Sequence, residues 1–348
     1  MSTFNCPEEV HLAEKLIELH PWADMVRFAR SGGEANAIAV RIGRAASGRD
    51  GIAICGYHGW HDWYLAANLA DERHLDGHLL PGLSTLGVPR ELAGSVHPFP
   101  YNDLKFLQKL TTEKSIGVIK MEVTRNFGPE PGFLQGVRDL CDQKNIVLIF
   151  DECTSGFRQC LGGLHLLHDV MPDLATFGKA LGNGYAISAV IGKKSVMDVA
   201  QSTFISSTFW TERIGPAAAL KTLEVMHREK SWDIVNTYGS EIQSKWRKLF
   251  QEYGFSVSIN GLPAICSYAF EEENNQIMRT YVTQEMLARG FLSTPLVYVS
   301  ITHTPRLIER YFEALEETIA SLRLLCDKGE VEEKLLGPVC HSGFKRLN

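Results

Sequence analysis

Four short motifs in this sequence carry residue types that can do chemistry together. Lys179 lies in Thr176-Phe177-Gly178-Lys179-Ala180-Leu181-Gly182-Asn183-Gly184, among glycines and apolar residues. That setting predicts a partly desolvated amine, whose lowered pKa makes it a better nucleophile toward carbonyls; a solvated loop lysine is the plainer reading. Asp151 follows the apolar run Ile146 to Phe150. A carboxylate at the end of a buried strand needs a partner, because an unpaired buried charge is expensive. A protonated heteroaromatic nitrogen would serve, worth about 4 kcal/mol at about 4 Å with an effective dielectric near 20. An N-cap or a structural salt bridge would serve as well. Tyr57-His58-Gly59-Trp60-His61 offers an aromatic that can stack on a flat ring, or a packed aromatic cluster. His58 and His61 lack a third ligand at recognisable spacing, so no metal site is expected. Ser31-Gly32-Gly33 opens a helical stretch. Helix N-termini offer N–H groups to phosphate, and glycines admit close approach, although Gly-Gly before a helix is also an ordinary turn.

The apolar periodicity supplies elements that can position these motifs. It predicts helices over 7–20, about 34–46, 104–110, 133–144, 215–228 and about 231–252. Strands are expected at 25–29, 51–55, 116–123 (with Glu122 near its end), 146–150, 175–177 and 186–191. Apolar Val/Ile/Leu runs alternating with helices argue for a parallel-type α/β sheet covered on both faces. In such sheets ligands bind outside the carboxyl ends of strands, where all four motifs fall. Residues 70–100 read as loop. From Phe255 the pattern becomes a small α+β unit: strands at 255–259, 264–270 and 291–299, helices at 276–289 and 305–325. The expected division is a large α/β domain over 1–230, a small domain over 231–326 beginning with a long linking helix, and a loose tail over 327–348.

Composition narrows the function classes. The chain has 348 residues, 45% hydrophobic and 22% charged, which excludes a disordered or fibrous protein. Its net charge of -6 excludes the basic footprint of a general nucleic-acid binder. Eight cysteines without C-x-x-C spacing suit reduced thiols in a cytoplasmic protein. No signal-peptide pattern and no apolar run of membrane-spanning length is seen, so no membrane partner is expected.

An amine, an acid, an aromatic and a phosphate cup together match what pyridoxal phosphate requires: a Schiff-base lysine, a carboxylate on the pyridinium nitrogen, a stacking ring and N–H groups for phosphate. Here the sequence resembles the class III, fold-type I pyridoxal-phosphate aminotransferases, in particular the branch around glutamate-1-semialdehyde 2,1-aminomutase. The resemblance covers roughly residues 8–325. Its most specific pieces are Asp151-Glu152 through Gly156-Phe157-Arg158, and Phe177-Gly178-Lys179 at the family's distance from Asp151.

The resemblance implies a large cofactor domain with a mixed or parallel sheet, plus a smaller C-terminal α+β domain. It implies that Lys179 holds the cofactor and moves protons, that Asp151 keeps the ring nitrogen protonated, and that Glu122 lies near the cofactor's hydroxyl side with Asn126 nearby. Gly32, Gly33, Tyr57 and His58 would complete the cofactor site. Thr208 would reach the phosphate of a neighbouring subunit, which implies a homodimer with shared sites. The sequence departs from the family at Gly33, where Thr or Ser is usual, at Val123, where Pro is usual, and at Trp210-Thr211-Glu212-Arg213. The stretches 76–82 and 87–89 stand where the aminomutase has its gating loop. An N-terminal segment of several tens of residues, usual in the family, is missing here. A naturally short chain, a truncated gene start or a wall supplied by a partner would each account for that.

The expected activity is amino transfer from a donor such as glutamate to an aldehyde or ketone, in sugar or surface-polysaccharide metabolism. The alternatives are the aminomutase reaction and a degenerate binding or regulatory homologue.

Overall fold

The computed structural model describes residues 4–78 and 81–343. The chain divides into two compact units, one running to Lys230 and one from Ser231 onward. In chain order the first unit holds α1 (Pro7–Leu19), β1 (Met25–Ala29), α2 (Gly32–Ser47), β2 (Gly51–Cys55), α3 (Asp62–Leu65), β3 (Val96–Pro98), α4 (Leu104–Glu113), β4 (Ile116–Glu122), α5 (Phe133–Lys144), β5 (Val147–Asp151), β6 (Leu174–Phe177), β7 (Ser188–Gly192), α6 (Lys194–Met197) and α7 (Ile214–Glu229). The second holds α8 (Ser231–Glu252), β8 (Val257–Asn260), β9 (Ile265–Phe270), α9 (Asn275–Ala288), β10 (Leu296–Tyr298) and α10 (Pro305–Lys328).

The apolar runs of the first unit form a seven-stranded sheet ordered β1-β7-β6-β5-β4-β2-β3. From β3 through β6 all neighbours are parallel. Strand β7 is antiparallel to both β6 and β1. The six other strands therefore run one way, and their carboxyl ends share one edge. Residues alternate across each strand, so the sheet has two apolar faces. On one, Ile52, Ile54, Val118 and Ile149 pack against Ala35, Ile38, Ala39 and Ile42 of α2. On the other, Phe28, Ala175, Phe177 and Ile191 meet Leu12 and Leu16 of α1 and Leu223 of α7. Each such fully buried Leu or Ile contributes about 1.5–3 kcal/mol, so truncating one breaks a measurable part of the fold.

Helix α2 begins where it does because Ser31 caps it. The Ser31 hydroxyl accepts from Glu34 N at 3.3 Å, while Glu34 Oε2 accepts from Arg30 N at 2.7 Å. Deeper in α2, a Cβ on Gly43 would come within 2.9 Å of Val118 Cγ2, so the glycine lets helix and sheet approach.

The second unit has an antiparallel sheet, β10-β9-β8. Its core gathers Trp246 and Phe250 of α8, Tyr268 and Phe270 of β9, Met286 of α9 and Leu315 and Ile319 of α10.

Three elements differ from the sequence expectation. Strand β3 lies inside the stretch read as loop. Strand β10 is three residues rather than the span 291–299, because Pro295 has no N–H to carry a ladder inward. The segment after α10 is not loose over its described part: Val331 is buried, Leu336 N donates to Gln284 Oε1 at 2.7 Å, and Cys340 N donates to Thr280 Oγ1 at 2.9 Å. Residues 344–348 lie outside the described residues.

Candidate active site

Asp151 ends β5 at the common carboxyl edge and is buried. Its Oδ2 accepts from Asn36 Nδ2 of α2 and from His58 Nδ1, each at 2.8 Å. Its Oδ1 accepts from Cys153 N at 3.1 Å and from Thr176 Oγ1 at 3.2 Å. Lys120 Nζ stands 3.7 Å from Oδ2. Burial alone would raise the Asp151 pKa. The Lys120 ammonium and the hydrogen bonds from His58 and Cys153 N outweigh it and hold the carboxyl well below the usual range. The surroundings thus favour its charged form.

Lys179 follows β6, the neighbouring parallel strand. Its backbone has φ 43°, a left-handed conformation that non-glycine residues rarely adopt. The turn is held by Leu181 N on Gly178 O and by Gly182 N and Asn183 N on Lys179 O. The Lys179 ammonium donates to Thr154 Oγ1 at 2.6 Å. Its side chain is exposed, not desolvated as its apolar context led us to expect. The glycines around it carry no side chains to cover it.

Glu122 ends β4 and pairs in register with Asp151. Arg125 Nη1 donates to its Oε2 at 2.7 Å, and Tyr57 N lies 3.4 Å from the same oxygen. Burial pushes its pKa up to about 7; Arg125 pulls it down and Asp151 pushes it further up. The Arg125 guanidinium also donates to His78 O at 2.8 Å, and His78 Nδ1 accepts from Gly56 N at 3.0 Å. The 71–78 turns are thus tied to the strand ends. Gly56 must be glycine here: φ is +121°, and a Cβ would fall 2.4 Å from Glu122 Oε2. In the expected gating stretch, residues 79–80 lie outside the described residues.

Two glycine turns close the remaining side. Gly32 and Gly33 open α2, so their N–H groups precede the helix's first internal bonds. A Cβ on Gly33 would fall 2.6 Å from His61 Cε1, and a Cβ on Gly59 would fall 3.2 Å from Gly33 Cα. The bend at 56–61 therefore packs directly on the start of α2. Tyr57 is 38% exposed beside it, its ring edge-on to Tyr64 with centroids 6.0 Å apart.

The edge thus gathers Lys179, Asp151, Glu122, Gly32, Gly33, Tyr57 and His58. Thr208 stands apart, exposed on the segment before α7, where Arg30 Nη2 holds the next carbonyl, Phe209 O, at 2.5 Å. His58, expected as a cofactor contact, is fully buried: its Nδ1 bonds Asp151 Oδ2 and its carbonyl accepts from Asn36 Nδ2. Sequence reasoning missed Asn36, Lys120, Thr154, Thr176 and Arg125. For Asn36 and Lys120 a signal existed, since each is a polar residue on an otherwise apolar buried face of its element.

Residues 1–319 match the family model of the class-III aminotransferases. A 3-aminobutyryl-CoA aminotransferase of Cloacimonas acidaminovorans is 34% identical over 326 residues, covering 90% of this chain and 75% of the relative. The chain belongs to the class-III aminotransferases. A glutamate-1-semialdehyde 2,1-aminomutase of Sulfurisphaera tokodaii is 30% identical over 340 residues, covering 90% of this chain and 80% of that one. In fold the chain is similar to an omega-transaminase from Sphaerobacter thermophilus, with a TM-score of 0.83, 24% identity, and coverage of 92% of this chain and 80% of that one. This class-III member is therefore a pyridoxal-phosphate-dependent enzyme of amino transfer with the fold-type I architecture. Its edge residues fit that cofactor: an exposed amine, a buried carboxylate held toward its charged form one strand away, and the N–H groups of two glycines at the start of α2.

Proposed function

We propose that this chain transfers an amino group from one small molecule, with glutamate as a candidate donor, to an aldehyde or ketone carbon of another. One observation carries the assignment of roles. An exposed lysine amine and a buried, hydrogen-bonded carboxylate stand at the carboxyl ends of adjacent parallel strands. When bound, pyridoxal phosphate supplies an electron-withdrawing ring that stabilises negative charge on the substrate's nitrogen-bearing carbon. Lys179 holds the cofactor covalently and, once freed, carries the proton to and from that carbon. Asp151 keeps the ring nitrogen protonated. His58, Asn36 and Thr176 orient that carboxylate without touching the ring. The N–H groups of Gly32 and Gly33 bind the phosphate, and Tyr57 covers a ring face. Glu122, its pKa pushed up to about 7, can take up or release a proton near the cofactor's hydroxyl side around neutral pH.

Net transfer between two molecules is favoured over the intramolecular reaction by the 34% identity to an aminotransferase, against 30% and 32% to two aminomutases. The proposed acceptors include sugar-derived aldehydes and ketones, and the name of the aminotransferase relative adds acyl-CoA compounds bearing a 3-amino group as candidate donors. We further propose a homodimer in the cytoplasm. Exposed Phe204, Phe209 and Ile214 flank Thr208 on one segment and suit a partner surface, and the cysteines form no disulfide.

The test is a spectrophotometric screen of amino donors against the loaded enzyme, followed by addition of a 2-oxo acid. Cofactor conversion to its amine form, and recovery with the acceptor, is expected. Isomerisation of glutamate-1-semialdehyde without an external acceptor would assign the mutase reaction instead. Absence of bound cofactor would mark a binding homologue.

A further inference from the structure

Lys120 sits in the middle of β4, with Ile54 of β2 and Ile149 of β5 as its register neighbours. It is fully buried, and its Nζ makes no hydrogen bond. A buried ammonium left this way is expensive, and a methionine would fill the same volume without desolvating a charge. Its ion-pair partner among the described residues is Asp151 Oδ2, at 3.7 Å. That oxygen already accepts from Asn36 and His58, so the lysine acts on the carboxylate through space. Glu122 with Arg125, His58 and the Cys153 thiol are the other titratable groups in electrostatic reach; Arg125 already answers Glu122. Burial lowers the pKa of both His58 and Lys120, and the Asp151 carboxylate raises both. Among the described residues Lys120 is the lysine or arginine ion-paired with Asp151.

We propose that Lys120 is a resident counter-cation for Asp151, compensating the carboxylate when the cofactor ring is away and competing with the ring nitrogen when it is bound. It is a positioning residue, acting through Asp151. The inference rests on the assignment of Asp151 to the ring nitrogen. It gives Lys120 a role in setting how readily the cofactor leaves.

The test is Lys120→Met, measured by thermal unfolding with and without pyridoxal phosphate and by the dissociation constant of the cofactor. The cofactor-free form is expected to melt lower, by on the order of 5 °C, while the loaded form recovers most of that loss. The cofactor is expected to bind about tenfold more tightly. Equal melting shifts in both forms with an unchanged dissociation constant would overturn the proposal. Asp151→Asn separates the two assignments. It is expected to weaken cofactor binding, and on that background Lys120→Met should no longer tighten it. If Asp151→Asn leaves binding unchanged, the assignment of Asp151 falls, and Lys120 with it. If Asp151→Asn weakens binding while Lys120→Met moves nothing, only the role of Lys120 falls. Should Lys120→Met fail to fold without cofactor, rescue by saturating pyridoxal phosphate supports the proposal. Failure of both Lys120→Met and Lys120→Gln to fold in saturating cofactor overturns it, since a loaded site brings its own cation.

Discussion

The ends of β4 and β5 carry a carboxylate each, paired in register, yet the two behave as opposites. Asp151 is buried among donors: Asn36, His58, Thr176 and a backbone N–H, with Lys120 behind. Glu122 is partly buried, with Arg125 paired to it at 2.7 Å, Lys179 in weaker reach and Asp151 pushing against it. Burial raises both pKa values, and the count of compensating groups decides the outcome. Asp151 is driven toward its charged form and Glu122 toward its neutral one. The same desolvation thus produces a constant field on one strand and a titratable group on the next. Lys179, on the third strand end, adds the nucleophile on the open side.

Lys179→Ala probes the open side, and the largest effect is expected there. Removing the nucleophile should lower turnover by about a thousandfold or more, read from product formation with saturating cofactor. A variant that keeps full activity would move catalysis elsewhere. Asp151→Asn removes the fixed charge while keeping the shape. An interaction of about 4 kcal/mol corresponds to roughly a thousandfold in rate or affinity, and activity should fall by about a hundredfold to a thousandfold. An unchanged rate would make the carboxylate structural.

Glu122→Gln sharpens the contrast through pH. The folded pKa of about 7 lies above the ordinary carboxyl value, so the unfolded chain loses its proton first. Stability tied to Glu122 is full below the ordinary carboxyl pKa, falls as pH rises toward about 7, and is flat above that. The melting temperature of the natural chain should therefore drop between about pH 5 and pH 8 by a few degrees more than that of the variant. Parallel curves would show that Glu122 does not titrate in this window. Asp151 works in the opposite direction: its depressed pKa gives stability that is present above the ordinary carboxyl pKa and lost only in strong acid. The smallest effect is expected from Gly33→Ala. Its Cβ would meet the His61 ring at 2.6 Å, and the ring must shift. Cofactor affinity should weaken by about tenfold or less, with the fold intact.

Much of this arrangement was legible in the residues. Strands β1 and β2 and helices α5 and α8 lie close to where the apolar pattern places them; the strands are bounded by Asp24 and Arg30 and by Asp50 and Gly56. Lys179, Asp151 and the Ser31-Gly32-Gly33 turn stood out by type and context. What stayed hidden depends on distances between strands. That β7 runs antiparallel is set by the tight turn at 182–185, which periodicity does not report. That Lys179 is exposed depends on missing side chains around it rather than on its own neighbours' hydropathy. His58 looked like a ligand-facing residue, and only the packing of 56–61 on α2 turns it inward onto Asp151. Asn36 and Lys120 were visible as polar residues in apolar stretches, but their common target required the sheet order.

The central claim is that Lys179, and not the buried Lys120, carries the cofactor beside Asp151. Borohydride reduction of the loaded enzyme followed by peptide mapping tests it directly. A pyridoxyl group on the peptide bearing Lys179, absent in Lys179→Ala, is the expected result. A modification on Lys120 or another lysine, or none at all, would contradict the account.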